Sequence, residues 1–211
     1  MSYAVKEMFY SLQGEGAQSG RAAVFCRFAG CNLWSGREDD RASATCSFCD
    51  TDFIGVDGGG GGRFRTADKL ARAAFALWPK TTTGRPMVVC TGGEPFLQLD
   101  KKLIAAFHDA GFEVAAETNG ALPAPDGLDW VCVSPKAGSN LVLTAGDELK
   151  LVYPQPDADP RWYENLDFRH FFLQPMDGAE LAKNTESAMR FCLERPKWRL
   201  SLQIQKQLGI R

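Results

Sequence analysis

Several short apolar runs in this chain stop at a cluster of polar residues and glycines, and that repeated boundary limits the folds open to it. Met87-Val-Val-Cys-Thr91 meets Gly92-Gly93-Glu94-Pro95, and the run from Phe112 ends in Glu117-Thr-Asn-Gly120. Trp130-Val-Cys-Val133 meets Ser134-Pro-Lys136, and a run over 168–174 closes on Gln174-Pro-Met-Asp177. Such runs read as strands. Helical periods lie between them: Leu70, Ala73, Ala74, Leu77 and Trp78 share one face behind Thr66 as N-cap, and further helices are expected near 99–110 and 178–194. Strands are also expected at 3–9, 22–29, 148–153 and 198–204. Alternating strands and helices imply a mostly parallel sheet with right-handed crossovers, and in such folds the polar strand ends carry the active site.

A full eight-unit barrel takes about 250 residues, more than the 211 present. The expected fold is therefore α/β, a shortened, incomplete (β/α) barrel with a mostly parallel, curved sheet, built as a single domain over 1–211. A homodimer would cover the open edges of such a sheet. The formal net charge of −2 gives no general attraction to nucleic acid or to an anionic membrane. Nowhere do about eighteen apolar residues occur together, and residues 1–10 do not read as a secretory leader. These features point to a cytoplasmic protein. Asp57 is followed by five glycines, so 57–63 is expected to be a flexible, Gly-rich loop. No Lys-Ser/Thr follows to make it a phosphate cradle.

Seven cysteines in a chain of this kind read as thiols or ligands rather than as a disulfide framework. Cys90, Cys132 and Cys192 are scattered in apolar surroundings and read as small buried hydrophobes. Cys26, Cys31, Cys46 and Cys49 are clustered. By spacing alone they are compatible with a Cys₄ zinc site or with a three-cysteine iron-sulfur cluster that keeps one iron open.

Phe48, an aromatic residue just before the last cysteine of a CxxC pair, resembles the radical S-adenosylmethionine (SAM) superfamily. There three cysteines hold a [4Fe-4S] cluster whose fourth iron chelates SAM. The usual spacing is C-x3-C-x2-C, so Cys31 stands eleven residues further out than expected. Thr91-Gly-Gly-Glu-Pro95 looks like the superfamily's GGEP segment, whose backbone approaches the SAM amino group; glycines allow that approach. Leu12-Gln-Gly-Glu-Gly16, Arg27, Cys49-Asp-Thr51 and Gln174-Pro-Met-Asp177 then narrow the resemblance to the 7-carboxy-7-deazaguanine synthase family, over about residues 10–177.

That resemblance implies a radical SAM fold and a lyase that contracts the ring of 6-carboxy-5,6,7,8-tetrahydropterin to give 7-carboxy-7-deazaguanine and ammonia, on the way to queuosine and related deazapurines. It implies that Leu12, Gln13, Gly14, Arg27, Thr91, Gln174, Pro175, Met176 and Asp177 contact the substrate. It assigns Phe48, Cys49, Asp50, Gly93, Ser134, Pro135 and Lys136 to SAM, Cys31, Cys46 and Cys49 to the cluster, and Thr51 to magnesium. A flavodoxin-like electron donor and a homodimer are implied as partners. Arg27 suits a carboxylate because its planar fork matches one. A small radical SAM activase acting on a protein glycine, or a zinc-stabilised interaction module, are the other readings of the same motifs. The fourteen residues from Asn32 to Thr45 are the departure from the superfamily. They are expected to form an ordered excursion with a charged outer face that shapes access for the electron donor without altering the cluster.

Overall fold

The computed structural model describes residues 2–210. The chain forms β1 (Tyr3–Leu12), β2 (Ala22–Phe28), β3 (Gly62–Phe64), α1 (Ala67–Leu77), β4 (Met87–Gly92), α2 (Lys101–Asp109) and β5 (Glu113–Thr118). It continues as β6 (Trp130–Val133), β7 (Ala145–Tyr153), β8 (Asp167–Pro175), α3 (Leu181–Glu194), β9 (Trp198–Leu200) and α4 (Ile204–Leu208). Thr66 caps α1 by accepting from the Lys69 amide, and Asp100 caps α2 by accepting from that of Leu103.

One nine-stranded sheet has the order β3-β1-β2-β4-β5-β6-β7-β8-β9. From β2 to β9 the neighbouring strands run parallel, while β1 is antiparallel to both β2 and β3. The expected open, mostly parallel sheet is thus observed. It is thinner in helices than the alternation implied, because 119–129 and 134–144 join β5 to β6 and β6 to β7 without one. No helix among the described residues is long and apolar enough to cross a membrane.

Two cores lie against the sheet's outer face. Leu70, Leu103, Ile104 and Phe107 from α1 and α2 pack on Val24, Phe28, Val88 and Val114, while Ala188 of α3 and Trp198 pack on Leu149, Leu151, Phe171 and Leu173. Phe168 and Phe171 belong to this second core, and Phe172 is equally buried. Because side chains alternate along a strand, every residue that feeds these cores leaves its neighbours on the opposite, concave face.

One expectation needs correcting. The strand expected at 198–204 ends at Leu200; the Ser201 amide still bonds to the Leu173 carbonyl, but the Ile204 amide is taken by Gly14 O at 3.1 Å and the chain turns into α4. The glycine run lies along β1. Gly58 N donates to Lys6 O and Met8 N to Gly59 O, both at 2.9 Å, and Gly62 opens β3. A Cβ on Gly61 would stand 2.2 Å from Lys6 O, so absence of a side chain is what lets the two backbones meet.

Gly61→Ala should therefore lower stability by about 1–3 kcal/mol, read from urea unfolding. An unchanged midpoint would mean that the segment yields freely and is not held by β1.

Candidate active site

The concave face is built by strand alternation. Along β2, Val24, Cys26 and Phe28 enter the first core, which turns Phe25 and Arg27 the other way. In the same manner Thr91 of β4, Glu117 of β5, Lys150 of β7 and Gln174 of β8 face inward, next to the apolar residues Cys90, Ala116, Leu149 and Leu173 that face outward. These side chains line a cavity of about 640 Å³. Leu12, Gln13, Gly14, Arg27, Thr91, Gln174, Pro175, Met176 and Asp177 all border it. So do Cys31, Cys46, Phe48, Cys49, Asp50, Thr51, Gly93, Ser134 and Lys136, whereas Pro135 is not part of the wall.

Three thiols gather at one end. Cys31 follows β2 directly, and its sulfur accepts from the Leu33 amide at 3.4 Å. The hydrogen bond between the Cys46 and Cys49 thiols, with burial, pushes Cys46 up, and the same bond holds Cys49 below the ordinary thiol range. The ammonium of Lys136, which donates to Ser134 O and Oγ at 2.7 Å, lies near enough to Cys46 and Cys49 to favour their thiolates. Burial lowers the affinity of Lys136 for its proton while the neighbouring thiols oppose that shift.

Among the described residues no three His, Cys, Asp or Glu side chains converge as they would on one ion. A cubane asks for a different arrangement, one thiolate on each of three irons and a fourth iron facing open space. Three thiols on the wall of one cavity, beside a cation, fit that group. The four-cysteine zinc site does not fit. Cys26 is fully buried on the opposite face of β2, in register with Cys90, and burial pushes its thiol far up.

Gly92 and Gly93 have a role that the sequence did not reveal. Gly92 has φ +135°, and a Cβ there would lie 2.2 Å from Phe28 O; one on Gly93 would lie 2.2 Å from Gly30 O and 2.8 Å from the Cys31 Cβ. The glycines let the end of β4 pass against the chain that carries Cys31, and the Glu94 amide then donates to Gly30 O at 2.9 Å. Glu94 itself is fully buried. Burial raises its affinity for a proton, although Asn119 N, Phe96 N and Thr118 Oγ1 all donate to its carboxyl. It ties β4 to β5. Asn119 Nδ2 continues the tie to Asn32 Oδ1 at 2.8 Å.

The other end of the cavity is organised by charge. Glu117 accepts from Gln13 Nε2 at 3.0 Å and from Thr91 Oγ1 at 3.1 Å. Lys150 pairs with Glu15 and lies 3.6 Å from Glu117. Glu15 also accepts from Gln203 and Gln205 at 3.0 and 2.9 Å. Burial alone would raise the Glu15 carboxyl, but the Lys150 charge and these donors hold it down at about 2. Arg27 Nε donates to Glu7 Oε1 at 3.0 Å, which fixes the plane of the guanidinium. Lys206 spans the mouth, 2.6 Å from both Asp50 and Asp177.

Glu15, Lys150, Gln203, Gln205 and Lys206 were not singled out as site residues from sequence. For Lys150 a signal existed: Glu148 and Lys150 alternate with Leu149 and Leu151 in one strand, which puts two charges on the face opposite the core.

No family model matches the chain. It is 63% identical over its full length to the full-length 7-carboxy-7-deazaguanine synthase of Bradyrhizobium diazoefficiens, and 58% identical, again with both chains fully covered, to that of Burkholderia multivorans. The crystal structure of QueE from Escherichia coli superposes with a TM-score of 0.67 at 26% identity, covering 96% of this chain and 94% of the other. Motifs, cavity and full-length similarity agree, and the chain belongs to the 7-carboxy-7-deazaguanine synthase family.

Proposed function

We propose that the chain is a radical SAM lyase that converts 6-carboxy-5,6,7,8-tetrahydropterin to 7-carboxy-7-deazaguanine and ammonia, a step in queuosine and related deazapurine biosynthesis. One observation carries the reading. Cys31, Cys46 and Cys49 line the same cavity as Gln13, Arg27, Thr91, Glu117 and Gln174. A volume of about 640 Å³ lies within the usual range for a small-molecule site. A walled cavity of this kind favours a small substrate over the protein glycine of an activase.

Bound there, the [4Fe-4S] cluster and SAM supply a 5′-deoxyadenosyl radical able to remove a hydrogen atom from the pterin. The protein's share is orientation and exclusion of water. Arg27, its plane set by Glu7, receives the substrate carboxylate through a paired, charge-assisted contact. Gln13, Thr91 and Gln174 offer amide and hydroxyl groups to the pterin edge, and Glu117 adds a carboxylate acceptor. Leu12, Gly14 and Pro175 to Asp177 complete that pocket. Phe48, Asp50, Gly93, Ser134 and Lys136 serve SAM. Thr51 would hold magnesium through its hydroxyl oxygen together with substrate oxygens and water, so magnesium would bind well only with substrate. A flavodoxin-like donor, a homodimer and a cytoplasmic location belong to the same reading.

Supplied anaerobically with SAM, magnesium, reductant and the carboxypterin, the reconstituted protein should hold about four irons and form a product with the absorption of a deazaguanine acid. Cys46→Ala should abolish both iron binding and turnover, and Cys26→Ala should keep its iron. Loss of iron in Cys26→Ala, with zinc in the untreated protein, would overturn the assignment.

The substrate end depends on the Glu15–Lys150 pair, which yields a second test. A carboxyl whose folded value is lowered stabilises the fold above its ordinary value of 4.5 and loses that contribution as pH falls towards about 2. Lys150→Met strands a buried carboxylate and should cost about 3–5 kcal/mol at pH 7 in urea unfolding. Without Lys150, burial raises the Glu15 value instead, so protonation relieves the variant and its deficit should shrink as pH falls below about 5. The double variant Glu15→Gln/Lys150→Met should lose less than Lys150→Met alone. An equal loss would show that packing of the lysine stem, not the pair, is what matters.

A further inference from the structure

The segment from Asn32 to Thr45 does more than skirt the cysteines. Trp34, 7% exposed, stands edge-on to Phe53 at 5.5 Å, and its Nε1 donates to Arg37 O at 3.1 Å and to Asp40 Oδ1 at 3.0 Å. Ser35 Oγ closes the turn on Asp40 Oδ2 at 2.6 Å. On this platform lies Arg41, its guanidinium carbon 4.0 Å from the Trp34 ring centroid. One edge of the guanidinium is engaged by Glu38, with Nε and Nη2 each 2.7 Å from a carboxylate oxygen. From the other side Nη1 donates to two backbone carbonyls, Ser47 O and Cys49 O, both at 2.9 Å.

Those carbonyls belong to the turn that presents Cys46, Phe48 and Cys49. Five donors in one rigid plane allow an arginine to hold a carboxylate and two carbonyls at once, which a lysine cannot do. Ring stacking and Glu38 fix that plane before any ligand arrives. A charged donor contributes roughly twice as much as a neutral one to each bond it makes.

We propose that Arg41 is a positioning residue, supplied by the long spacing between Cys31 and Cys46, which clamps the Cys46–Cys49 turn by its carbonyls so that the turn is ordered before the cluster binds. The spacing thus serves the cluster site directly. The inference rests on the cluster reading only for its iron-dependent consequences. Ordering of the turn in the metal-free chain is independent of that reading.

The test compares Arg41→Gln, Arg41→Lys and, as a control, Arg37→Gln, whose side chain is exposed and meets Asp39. Hydrogen–deuterium exchange of amides 46–51 in the metal-free protein should accelerate about tenfold in both Arg41 variants and stay unchanged in the control. After reconstitution with ferrous iron and sulfide, both Arg41 variants should also surrender iron to a chelator faster than the parent chain. The electron paramagnetic resonance spectrum of the reduced cluster with SAM should broaden as the turn loses its single geometry. Unaltered exchange and iron release in Arg41→Gln would overturn the proposal. Full rescue by Arg41→Lys would overturn the two-carbonyl clamp in favour of charge alone. If the parent chain took up no iron, the cluster reading would fall, and the exchange result would still decide the role of Arg41.

Discussion

A single ammonium holds the substrate end of this molecule together. The Lys150 side chain is 6% exposed, and a cation so far from water persists only where carboxylates surround it. Glu15 comes from the connector after β1, Glu117 from the end of β5, and Lys150 from the middle of β7. Glu15 passes the constraint to the C-terminal segment through Gln203 and Gln205, and Glu117 passes it to Gln13 and Thr91. Parts of the chain far apart in sequence thereby share one set of hydrogen bonds. In a low-dielectric interior such bonds reinforce each other, and breaking one leaves a buried group without its partner.

The cluster end is held by other means. There the chain uses close approach, with Gly92 and Gly93 against Phe28 O and Gly30 O, and a buried carboxyl, Glu94, that serves as a hub for backbone donors. The difference follows from charge. Nearby cations favour thiolates and nearby carboxylates disfavour them. Lys136 and Arg41 stand close to the cysteines, and burial of Glu94 disfavours its ionised form. The carboxylates Glu15 and Glu117 collect around Lys150 instead. Cations thus stand beside the cysteines, while the Glu15 and Glu117 carboxylates on the wall of the same cavity are paired with Lys150.

Much of this was legible from sequence because strands announce themselves by period and by the polar residues that end them. Met87–Thr91 and Trp130–Val133 are apolar, their flanks are not, and both are observed as strands. Cys31, Cys46 and Cys49, singled out beside Phe48 and the GGEP segment, are brought to the wall of one cavity. The reason for the glycines was not, since their tightest contacts are with the chain's own backbone, a relation that only the parallel pairing of β2 with β4 creates. The tail misled for a similar cause. Leu202-Gln-Ile-Gln205 alternates like a strand, but the chain turns away from the sheet after Leu200. Its glutamines satisfy Glu15 and its backbone satisfies Gly14 O, while β8, the strand it would have followed, ends at Pro175. Lys150 was overlooked because a charge in an apolar strand is unremarkable until its partners are known.

The same comparison of magnitudes identifies what keeps the C-terminal segment in place. Lys206 reaches Asp50 and Asp177 at 2.6 Å, yet its side chain is 41% exposed and those of the aspartates 51% and 38%. Pairs this wet contribute about 0–1 kcal/mol, and less in salt. The hydrogen bonds from Gln203 and Gln205 end on a carboxylate removed from water, where an unmade bond costs about 1–3 kcal/mol. The inner contacts therefore decide where the tail lies, and Lys206 adjusts the mouth that this placement creates.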